Sequence, residues 1–267
     1  MIIAIVSLAV ILFLFLFLIF PSLRRHPDRK MLGGMYIAHR GLHNEEYPEN
    51  SIGAFENAIK NNIAIEMDVH ITADDGLVVF HDNNLKRMCA LDLVPEKESL
   101  ETLTNIKLLD TEYKIPSFEE FLKCVDGRVP ILIELKTEGP ATCTRLCQKA
   151  SEALSDYRGK YFIQSFYPPA IAWFKKHRRD VMRGQLSSWD LGKKGFLYRM
   201  SSCLLLNFLG RPDFISYEIK YQNNFFRKFA VFLGAKSFGW TYRSLEQVEK
   251  YNKKFPTKIF EGFMPKK

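Results

Sequence analysis

The first twenty residues form an almost continuous apolar run that contrasts with the rest of the chain. The run consists of Ile, Leu, Val, Ala and Phe with Ser7 as the polar interruption, and Pro21 ends it. At about 1.5 Å per residue, a helix of this length approaches the ~30 Å thickness of the hydrocarbon core of a bilayer. A signal peptide would have a basic start, a shorter apolar core and a small-residue cleavage site. The pattern therefore predicts a retained membrane anchor over residues 1–21.

From residue 35 onward, short apolar runs alternate with amphipathic segments, which is typical of β/α units. Ser51 is a suitable N-cap, for example, and the apolar residues of 52–61 follow it at helical spacing. Further helices are predicted at 117–125, 141–154 and 170–177. Eight runs read as strands when a short run ending at His81 is treated as an excursion: residues 36–38, 64–68, 130–136, 161–165, 181–186, 214–217, 236–242 and 258–263.

Eight such units in roughly 235 residues match the size of an eight-stranded α/β barrel, which typically has about 250 residues. No stretch rich in Gly, Ser or Pro divides this part of the chain. We therefore predict the α/β class, with a single (β/α)8 TIM-barrel domain over residues 35–267 preceded by one N-terminal transmembrane helix.

Basic residues follow the apolar run, and none precedes it. Arg24, Arg25, Arg29 and Lys30 all lie within residues 22–34, which we interpret as a basic juxtamembrane linker. Because the cytoplasmic flanks of membrane segments carry the excess of Lys and Arg, this asymmetry predicts that the barrel faces the cytoplasm. The sequence thus predicts a single-pass protein of the cell membrane.

Composition narrows the choice of partners. The net charge of +8 and the pI near 9.1 are compatible with nucleic-acid binding, but no RNP, helix-turn-helix or zinc-finger pattern accompanies them. An anionic membrane surface is the simpler partner. The five cysteines are an odd number without a CxxC pair, so they indicate neither a disulfide framework nor a zinc site. No feature indicates an obligate protein partner.

Histidines and paired carboxylates lie at the ends of predicted strands. His39 and Arg40 end the first strand, Glu66 and Asp68 share one face of the second because side chains alternate, and His81 ends the excursion. Two acids on one face repel each other, and a hard cation with oxygen ligands is the usual partner, so the pair indicates half a metal site. Histidines titrate near neutral pH and are candidates for general acid and base. Each feature alone is common; their combination is specific.

A third acid is expected beside this pair. Glu134 and Lys136 share one face of the strand at 130–136 and could form a simple edge salt bridge. Barrel enzymes, however, place their chemistry at the carboxyl ends of neighbouring strands. In that setting Glu134 is a candidate metal ligand.

These residues resemble the glycerophosphodiester phosphodiesterases, a family of two-histidine, metal-dependent phosphodiesterases with a TIM-barrel fold. The resemblance covers nearly everything after residue 35. It consists of HRG at 39–41, PENS at 48–51, ExD at 66–68, a T-x-D-G-like turn at 72–76, HD at 81–82, ELK at 134–136, QSF at 164–166, GWT at 239–241 and FEGF at 260–263.

The resemblance implies cleavage of a glycerophosphodiester to an alcohol and glycerol 3-phosphate through a cyclic phosphate. One histidine would deprotonate the attacking hydroxyl of glycerol and the other would protonate the leaving alcohol. We assign these roles to His39 and His81, in an order left open. The divalent cation, Mg²⁺ or Ca²⁺, is expected on the ligands Glu66, Asp68 and Glu134, with Glu49 on the metal or beside its ligands.

Substrate contacts are expected from three further residues. Arg40 can bind a phosphate with two donors and Lys136 can act as a point charge. The resemblance implies that Trp240 contacts the substrate, although a position in the core is an equal alternative. The family usually follows this Trp-Thr pair with a small apolar residue and Asn, whereas Tyr242 and Arg243 stand here.

Two other functions stay open. A phospholipase-type enzyme of the same two-histidine group would act on lysophospholipid or phosphatidylinositol at the membrane, and the predicted anchor supports it. A catalytically silent, membrane-bound binding module is the second alternative. The complete set of two histidines and three acids argues against it.

Overall fold

The computed structural model describes residues 1–24, 26–137, 139–192 and 194–265. Arg25, one of the four basic residues behind the topology prediction, lies outside these ranges.

Eight parallel strands close into a barrel. The first strand pairs with both the second and the last, so the ring of parallel strands is continuous. A short ninth strand is antiparallel to β2 and leaves the ring, which confirms the interpretation of the run before His81 as an excursion. The strands are β1 (Tyr36–Ala38), β2 (Ala64–Ile71), β3 (Leu77–Val79, the excursion), β4 (Ile131–Leu135), β5 (Tyr161–Ser165), β6 (Met182–Ser187), β7 (Phe214–Glu218), β8 (Lys236–Tyr242) and β9 (Thr257–Phe260).

The helices cover the outside of the barrel and the excursion. Four of them lie within two residues of their predicted bounds, because local signals mark where they begin. Ser51 and Ser117 cap two of them, Ser117 in a reciprocal capping box with Glu120, and the other two begin with proline at Pro140 and Pro168. The helices are α1 (Ile2–Ile19), α2 (Ile52–Lys60), α3 (Lys86–Cys89), α4 (Leu100–Thr104), α5 (Phe118–Val125), α6 (Pro140–Ala153), α7 (Pro168–His177), α8 (Phe196–Ser202), α9 (Asn207–Gly210), α10 (Phe225–Phe232) and α11 (Leu245–Tyr251), with short 3₁₀ helices at Pro27–Lys30, Pro95–Lys97 and Ile219–Tyr221.

The barrel interior is apolar at the amino-terminal end of the strands and polar at the carboxyl end. Side chains alternate along a strand, so residues two apart point to the same side. The apolar end is filled by Ile37, Ala64, Leu132, Phe162, Met182, Phe214, Phe238 and Ile259. Moving two residues along four of these strands leads to His39, Glu66, Glu134 and Gln164. The packed apolar layer therefore forms the floor on which the polar residues stand.

A glycine makes this apolar layer possible. A Cβ on Gly184 would overlap the ring of Phe214, which stacks on Phe238 at a centroid distance of 4.3 Å. We expect Gly184→Ala to lower the free energy of unfolding by about 1–3 kcal/mol, the range for overpacking a core. Chemical denaturation of the variant checks this. Gly33→Ala is the matched control because its Cβ would meet nothing nearer than 3.6 Å. Equal stability of the two variants would contradict the packing argument.

The end of α1 is attached to the barrel. Ile19 is fully buried, and Asn207 Nδ2 donates to its carbonyl oxygen at 3.0 Å. Arg211 Nη1 donates to the carbonyl oxygens of Phe17 and Phe20, both at 2.8 Å. These carbonyl groups belong to the last turn, where a helix leaves them without partners of its own. Residues of the barrel thus cap the C-terminus of α1.

The segment after α1 crosses the amino-terminal end of the barrel. Arg24 forms an ion pair with the fully buried Asp213, with 2.7 Å between Nη2 and Oδ2. Lys160 Nζ donates to Asp28 Oδ1 at 2.9 Å, and Leu32 is buried against the apolar layer of the interior. Residues 22–24 and 26–34 therefore close the end of the barrel that lies opposite the polar residues.

Candidate active site

His39 directly follows β1 and is held by the last strand. Its backbone N–H donates to the carbonyl oxygen of Phe260 at 2.9 Å. Its ring Nδ1 lies 2.5 Å from Glu261 Oε2, and Arg243 Nε donates to the other oxygen of Glu261 at 2.8 Å. A carboxylate on Nδ1 favours the tautomer with the proton on that nitrogen, which leaves Nε2 for proton exchange. Burial lowers the pKa of His39 below its ordinary value, although the hydrogen bond to Glu261 opposes this.

His81 is arranged in the same way at the end of the excursion. Its Nδ1 lies 2.6 Å from Asp82 Oδ1, and Arg87 Nε donates to Asp82 Oδ2 at 2.7 Å. The buried His70 approaches the carbonyl oxygen of His81 with Nε2 at 3.3 Å and thereby supports the backbone. Burial lowers the pKa of His81, while the charge of Asp68 acts in the opposite direction. Both histidines therefore have a carboxylate on Nδ1 and a pKa below the ordinary value.

Three buried carboxylates meet between the strands β2 and β4. The parallel register places Asp68 beside Glu134. One carboxylate oxygen from each of Glu66, Asp68 and Glu134 lies within 4.8 Å of the others. Asp68 Oδ1 is buried and has no hydrogen-bond partner among the described residues. A set of three carboxylates, one of whose oxygens accepts no hydrogen bond from the described residues, is suited to a hard divalent cation.

Burial and neighbouring charges shift the pKa values of the three acids in different directions. Burial raises the pKa of Glu66 well above its usual range, and the charges of Asp68 and Glu134 add to this effect. Burial also raises the pKa of Glu134, against the attraction of Lys136. Burial opposes the ionisation of Asp68, but Lys136, His81 and Arg40 together hold its pKa well below the usual range. A bound cation would relieve the repulsion among all three.

Two cations face the same acids. Arg40 Nη1 donates to Glu49 Oε1 at 2.7 Å, and its Nε lies 3.7 Å from Asp68 Oδ2. Lys136 Nζ donates to Glu134 Oε1 at 3.0 Å and lies 3.6 Å from Asp68 Oδ1. The backbone of Arg40 has a φ of 55°, and its N–H donates to Glu66 Oε2 at 3.0 Å. Positive and negative groups are thus interleaved at the mouth of the barrel.

The cleft beside these groups has a volume of about 300 Å³. Its lining includes His81, Glu134, Lys136 and Phe166. The ring of Phe166 meets Trp240 edge to face with 5.7 Å between centroids. The indole N–H of Trp240 is buried and makes no hydrogen bond within the described part of the chain. The lining of the cleft therefore combines charged groups with the aromatic ring of Phe166, which packs on Trp240.

The structure brings together most of the residues expected from the sequence. Both histidines, all three proposed ligands, Arg40 and Lys136 lie at the carboxyl ends or inner faces of the strands. Glu49 lies beyond Arg40: in addition to Arg40 it accepts from Arg87 Nη1 at 2.9 Å. Arg40 thus lies between Glu49 and the three acids.

Two residues that hold this arrangement stand in the motifs PENS and FEGF but were not among the site residues expected from the sequence. Asn50 is buried and donates from Nδ2 to Asp68 Oδ2 at 3.0 Å. Glu261 follows β9 and binds His39. The sequence did contain a signal for Glu261. It follows Ile259 of the inner apolar layer by two residues, just as His39 follows Ile37, so both side chains are expected on the inner side of the barrel. The departure at Tyr242 and Arg243 also has an explanation, since Tyr242 is fully buried and Arg243 holds Glu261.

Comparison with known proteins gives one consistent result. The profile of the glycerophosphoryl diester phosphodiesterase family matches residues 39–253. A lysophospholipase D of Rattus norvegicus is 31% identical over 160 residues, 55% of this chain and 49% of the relative. A glycerophosphodiester phosphodiesterase of Caldanaerobacter subterraneus is 37% identical over 165 residues, 57% of this chain and 66% of the relative. The chain spans about half the length of the first curated relatives it matches.

A solved structure has the same fold. A phosphodiesterase of Oleispira antarctica, determined in complex with its product sn-glycerol-3-phosphate, superposes with a TM-score of 0.71 at 19% identity. The alignment covers 87% of this chain and 94% of that one. At this identity the likeness establishes the fold.

Proposed function

The chain belongs to the glycerophosphoryl diester phosphodiesterase family, and from that premise we propose that it hydrolyses a glycerophosphodiester to an alcohol and glycerol 3-phosphate. The observation that carries the proposal is the meeting of two carboxylate-bound histidines with three buried acids at the mouth of one barrel. General acid, general base and a set of ligands for a cation are the groups that this reaction uses.

The residues at the mouth fit a divalent cation. Glu66, Asp68 and Glu134 would hold it, and Glu49 would act on the ligands through Arg40. When bound, Mg²⁺ or Ca²⁺ would draw negative charge from a phosphoryl oxygen and neutralise the charge that develops there. Carboxylate oxygens are the ligands that both ions prefer.

Arg40 and Lys136 would hold the phosphodiester. The guanidinium group can present two parallel N–H donors to phosphate oxygens, and the ammonium group adds a compact positive charge. Both groups are already held by acids of the site, so binding a phosphate requires little further ordering of their side chains. Trp240 and Phe166 would cover the carbon atoms of the substrate.

His39 and His81 would move the protons. A hydroxyl of the glycerol part attacks phosphorus as its proton passes to Nε2 of one histidine, and the leaving alcohol oxygen takes a proton from Nε2 of the other. The resulting cyclic phosphate is opened by water with the two roles reversed. The free nitrogens need a pKa near the working pH, and both histidines lie on the low side of the ordinary value.

Glu261 would position His39 rather than react. We expect Glu261→Gln to lower kcat by about 10-fold or more, because the ring loses the partner that fixes its tautomer. The hydrogen bond and charge of Glu261 raise the pKa of His39 against the larger effect of burial, so removing that charge lowers the pKa further. The limb of the pH–rate profile that reports His39 should therefore move to lower pH.

A pH–rate profile of the variant tests this role. Glu249→Gln, at an exposed position of α11, is the matched control and should keep both rate and profile. A loss of activity in Glu261→Gln without any change in the profile would indicate a purely structural role.

We also propose that α1 is retained as the membrane anchor of a domain arrangement with residues 1–21, 22–34 and 35–267. Among the described helices, α1 is long and apolar enough to span a membrane, a property it shares with signal sequences. Retention is supported by Asn207 and Arg211, which cap its last turn. The basic residues after α1 favour a cytoplasmic barrel.

Topology can be measured with reporters fused after Lys267. A fluorescent protein at this position should be fluorescent, and alkaline phosphatase at the same position should be inactive, because that enzyme needs export to form its disulfides. Strong phosphatase activity would show that the barrel is exported.

A specific observation keeps lysophospholipids as a second candidate substrate. The anchor would hold the site beside lipids, and three of the relatives are named lysophospholipase D. The purified full chain should be assayed with glycerophosphocholine, lysophosphatidylcholine and phosphatidylinositol, with and without Mg²⁺ or Ca²⁺. Turnover of the first substrate supports the main proposal, turnover of the second alone supports the alternative, and turnover of none contradicts both.

A further inference from the structure

The direction in which α1 leaves the barrel can be read from its contacts. The last turn of α1 is bonded to Asn207 and Arg211, and the N–H of Ser22 donates to the carbonyl oxygen of Pro212 at 2.9 Å. These barrel residues immediately precede β7, which begins at Phe214. The end of α1 therefore lies at the amino-terminal end of the strands, away from the active site.

Four residues earlier, α1 packs against α10, a helix that begins near the mouth of the barrel. The ring centroid of Phe15 lies 6.5 Å from that of Phe225 and 5.4 Å from that of Phe229, and both of these residues belong to α10. Because α10 follows the carboxyl end of β7, its first residues lie near the mouth. Going from Ile19 back to Phe15 thus leads from the closed end toward the mouth. The exposed residues 2–14 continue that course for about 20 Å.

Helix α8 stands on the rim of the mouth next to this path. Ser187, the last residue of β6, donates from Oγ to the carbonyl oxygen of Ser201 at 3.1 Å. Tyr217, near the end of β7, donates from its hydroxyl to the carbonyl oxygen of Ser202 at 3.0 Å. The end of α8 is therefore level with the ends of the strands. Its first turn belongs to the rim.

Exposed apolar and basic side chains are concentrated on this part of the rim. Phe196, Leu197 and Phe225 have exposed fractions of 76%, 66% and 60%. Basic residues stand between them, and the guanidinium group of Arg199 lies 3.7 Å from the ring centroid of Trp189. Apolar and aromatic groups mixed with Lys and Arg are typical of surfaces that lie in the headgroup layer of a membrane. We call Trp189, Lys194, Phe196, Leu197, Arg199, Lys220 and Phe225 the apolar–basic rim.

The rim is continuous with the anchor. The ring of Trp189 stacks on Phe226 with 6.5 Å between centroids, and Phe226 in turn lies 6.4 Å from Phe15 of α1. A helix that enters the bilayer from this flank brings the adjoining rim to the lipid surface. The course of α1 and the position of the apolar–basic rim therefore indicate the same side of the barrel.

We propose that the barrel rests with its mouth toward the bilayer and that the apolar–basic rim lies among the lipid headgroups. The active-site cleft then opens at the membrane surface. A phosphodiester whose acyl chain stays in the bilayer reaches the two histidines without being extracted into water. This last consequence rests on the proposed function, whereas the orientation rests on α1 and the rim alone.

The orientation can be measured on the full chain in bilayers of phosphatidylcholine and phosphatidylglycerol. A fluorescent amino acid is incorporated at one of three exposed positions in separate variants. Leu197 lies on the rim, Arg158 lies before β5 at the closed end of the barrel, and Phe232 is the last residue of α10. Lipids brominated near the headgroup should quench the probe at Leu197 strongly and the probe at Arg158 not at all. Quenching at Phe232 should be weaker than at Leu197.

Each other pattern contradicts the proposal. Stronger quenching at Phe232 than at Leu197 would mean that the barrel lies on its flank. Quenching at Arg158 alone would mean that the mouth faces away from the membrane. No quenching at Leu197 would mean that the rim is covered by another copy of the chain or is free in water. None of these readings depends on turnover, so a failure of the proposed function is seen separately.

A second variant measures the consequence for activity. Leu197→Asp should lower turnover of a bilayer-borne lysophospholipid by about tenfold or more, the factor for one Leu side chain that is no longer buried in lipid. Turnover of water-soluble glycerophosphocholine should be unchanged, since Leu197 lies outside the catalytic groups. An equal loss on both substrates, or on neither, would overturn the role assigned to the rim.

Discussion

Replacing either His39 or His81 by asparagine is expected to lower kcat by at least about 10²-fold, the lower end of what general acid–base catalysis supplies. Each ring is held through Nδ1 by a carboxylate, Glu261 for one and Asp82 for the other. An asparagine amide can keep that hydrogen bond, but it has nothing in place of Nε2. The substitution therefore removes proton transfer while leaving the supporting contact.

Steady-state kinetics and thermal unfolding of the two variants check this expectation. His177→Asn is the matched control, because His177 is an exposed residue of α7 whose ring stacks on Trp173. It should keep full activity. A folded His39 or His81 variant with near-normal turnover would remove that histidine from the mechanism.

Chelation of divalent cations should abolish activity, and Mg²⁺ or Ca²⁺ should restore it. Asp68→Asn should raise the metal concentration needed for half-maximal activity by at least about 10-fold. Mutation of residues that only hydrogen-bond to metal ligands already lowers metal affinity by about that factor. Asp68 is the acid that stays ionised most readily, and its Oδ1 has no hydrogen-bond partner among the residues described. Asparagine preserves its shape and removes its charge.

Metal binding to the full chain can be followed by calorimetry as well as by activity. Asp156→Asn changes an exposed acid outside the site and should leave the metal requirement unaltered. Activity that survives exhaustive chelation would exclude the acids from catalysis and would favour chemistry without a metal.

The sequence predicted the barrel because its signals are local. Serine caps, apolar runs and turns recur along the chain. Within each strand, the alternation of residue types indicates which side chains point into the barrel. Glu66, Asp68 and Glu134 could be grouped because alternation along a strand and the closure of a barrel leave few places for them. His39 and His81 followed from their positions at strand ends and from the resemblance.

Contacts between distant residues were beyond local reasoning. Glu261 lies 222 positions from His39, and the matching positions of the two residues after their strands do not by themselves identify them as a hydrogen-bonded pair. Arg24 likewise pairs with Asp213 across 189 positions, so a residue expected in a basic juxtamembrane linker is fixed at the closed end of the barrel. Such pairs depend on which strands become neighbours, and the tertiary structure, not the local sequence, determines those neighbours.

The position of α1 illustrates the same limit. Its composition predicts a helix that can cross a membrane, but not the flank on which that helix runs. Phe15 and the capped carbonyl groups of the last turn supply that information. From them follows an orientation of the mouth that composition could not give.

Identification of the cleaved bond is the strictest test of the proposed hydrolysis. The purified full chain is incubated with glycerophosphocholine and a saturating divalent cation, and the products are followed by ³¹P nuclear magnetic resonance, with the His39→Asn variant as the blank. We expect the substrate signal to be replaced by that of glycerol 3-phosphate and choline to accumulate in equal amount. Formation of phosphocholine and glycerol, or no turnover under any metal condition, would contradict the proposed hydrolysis.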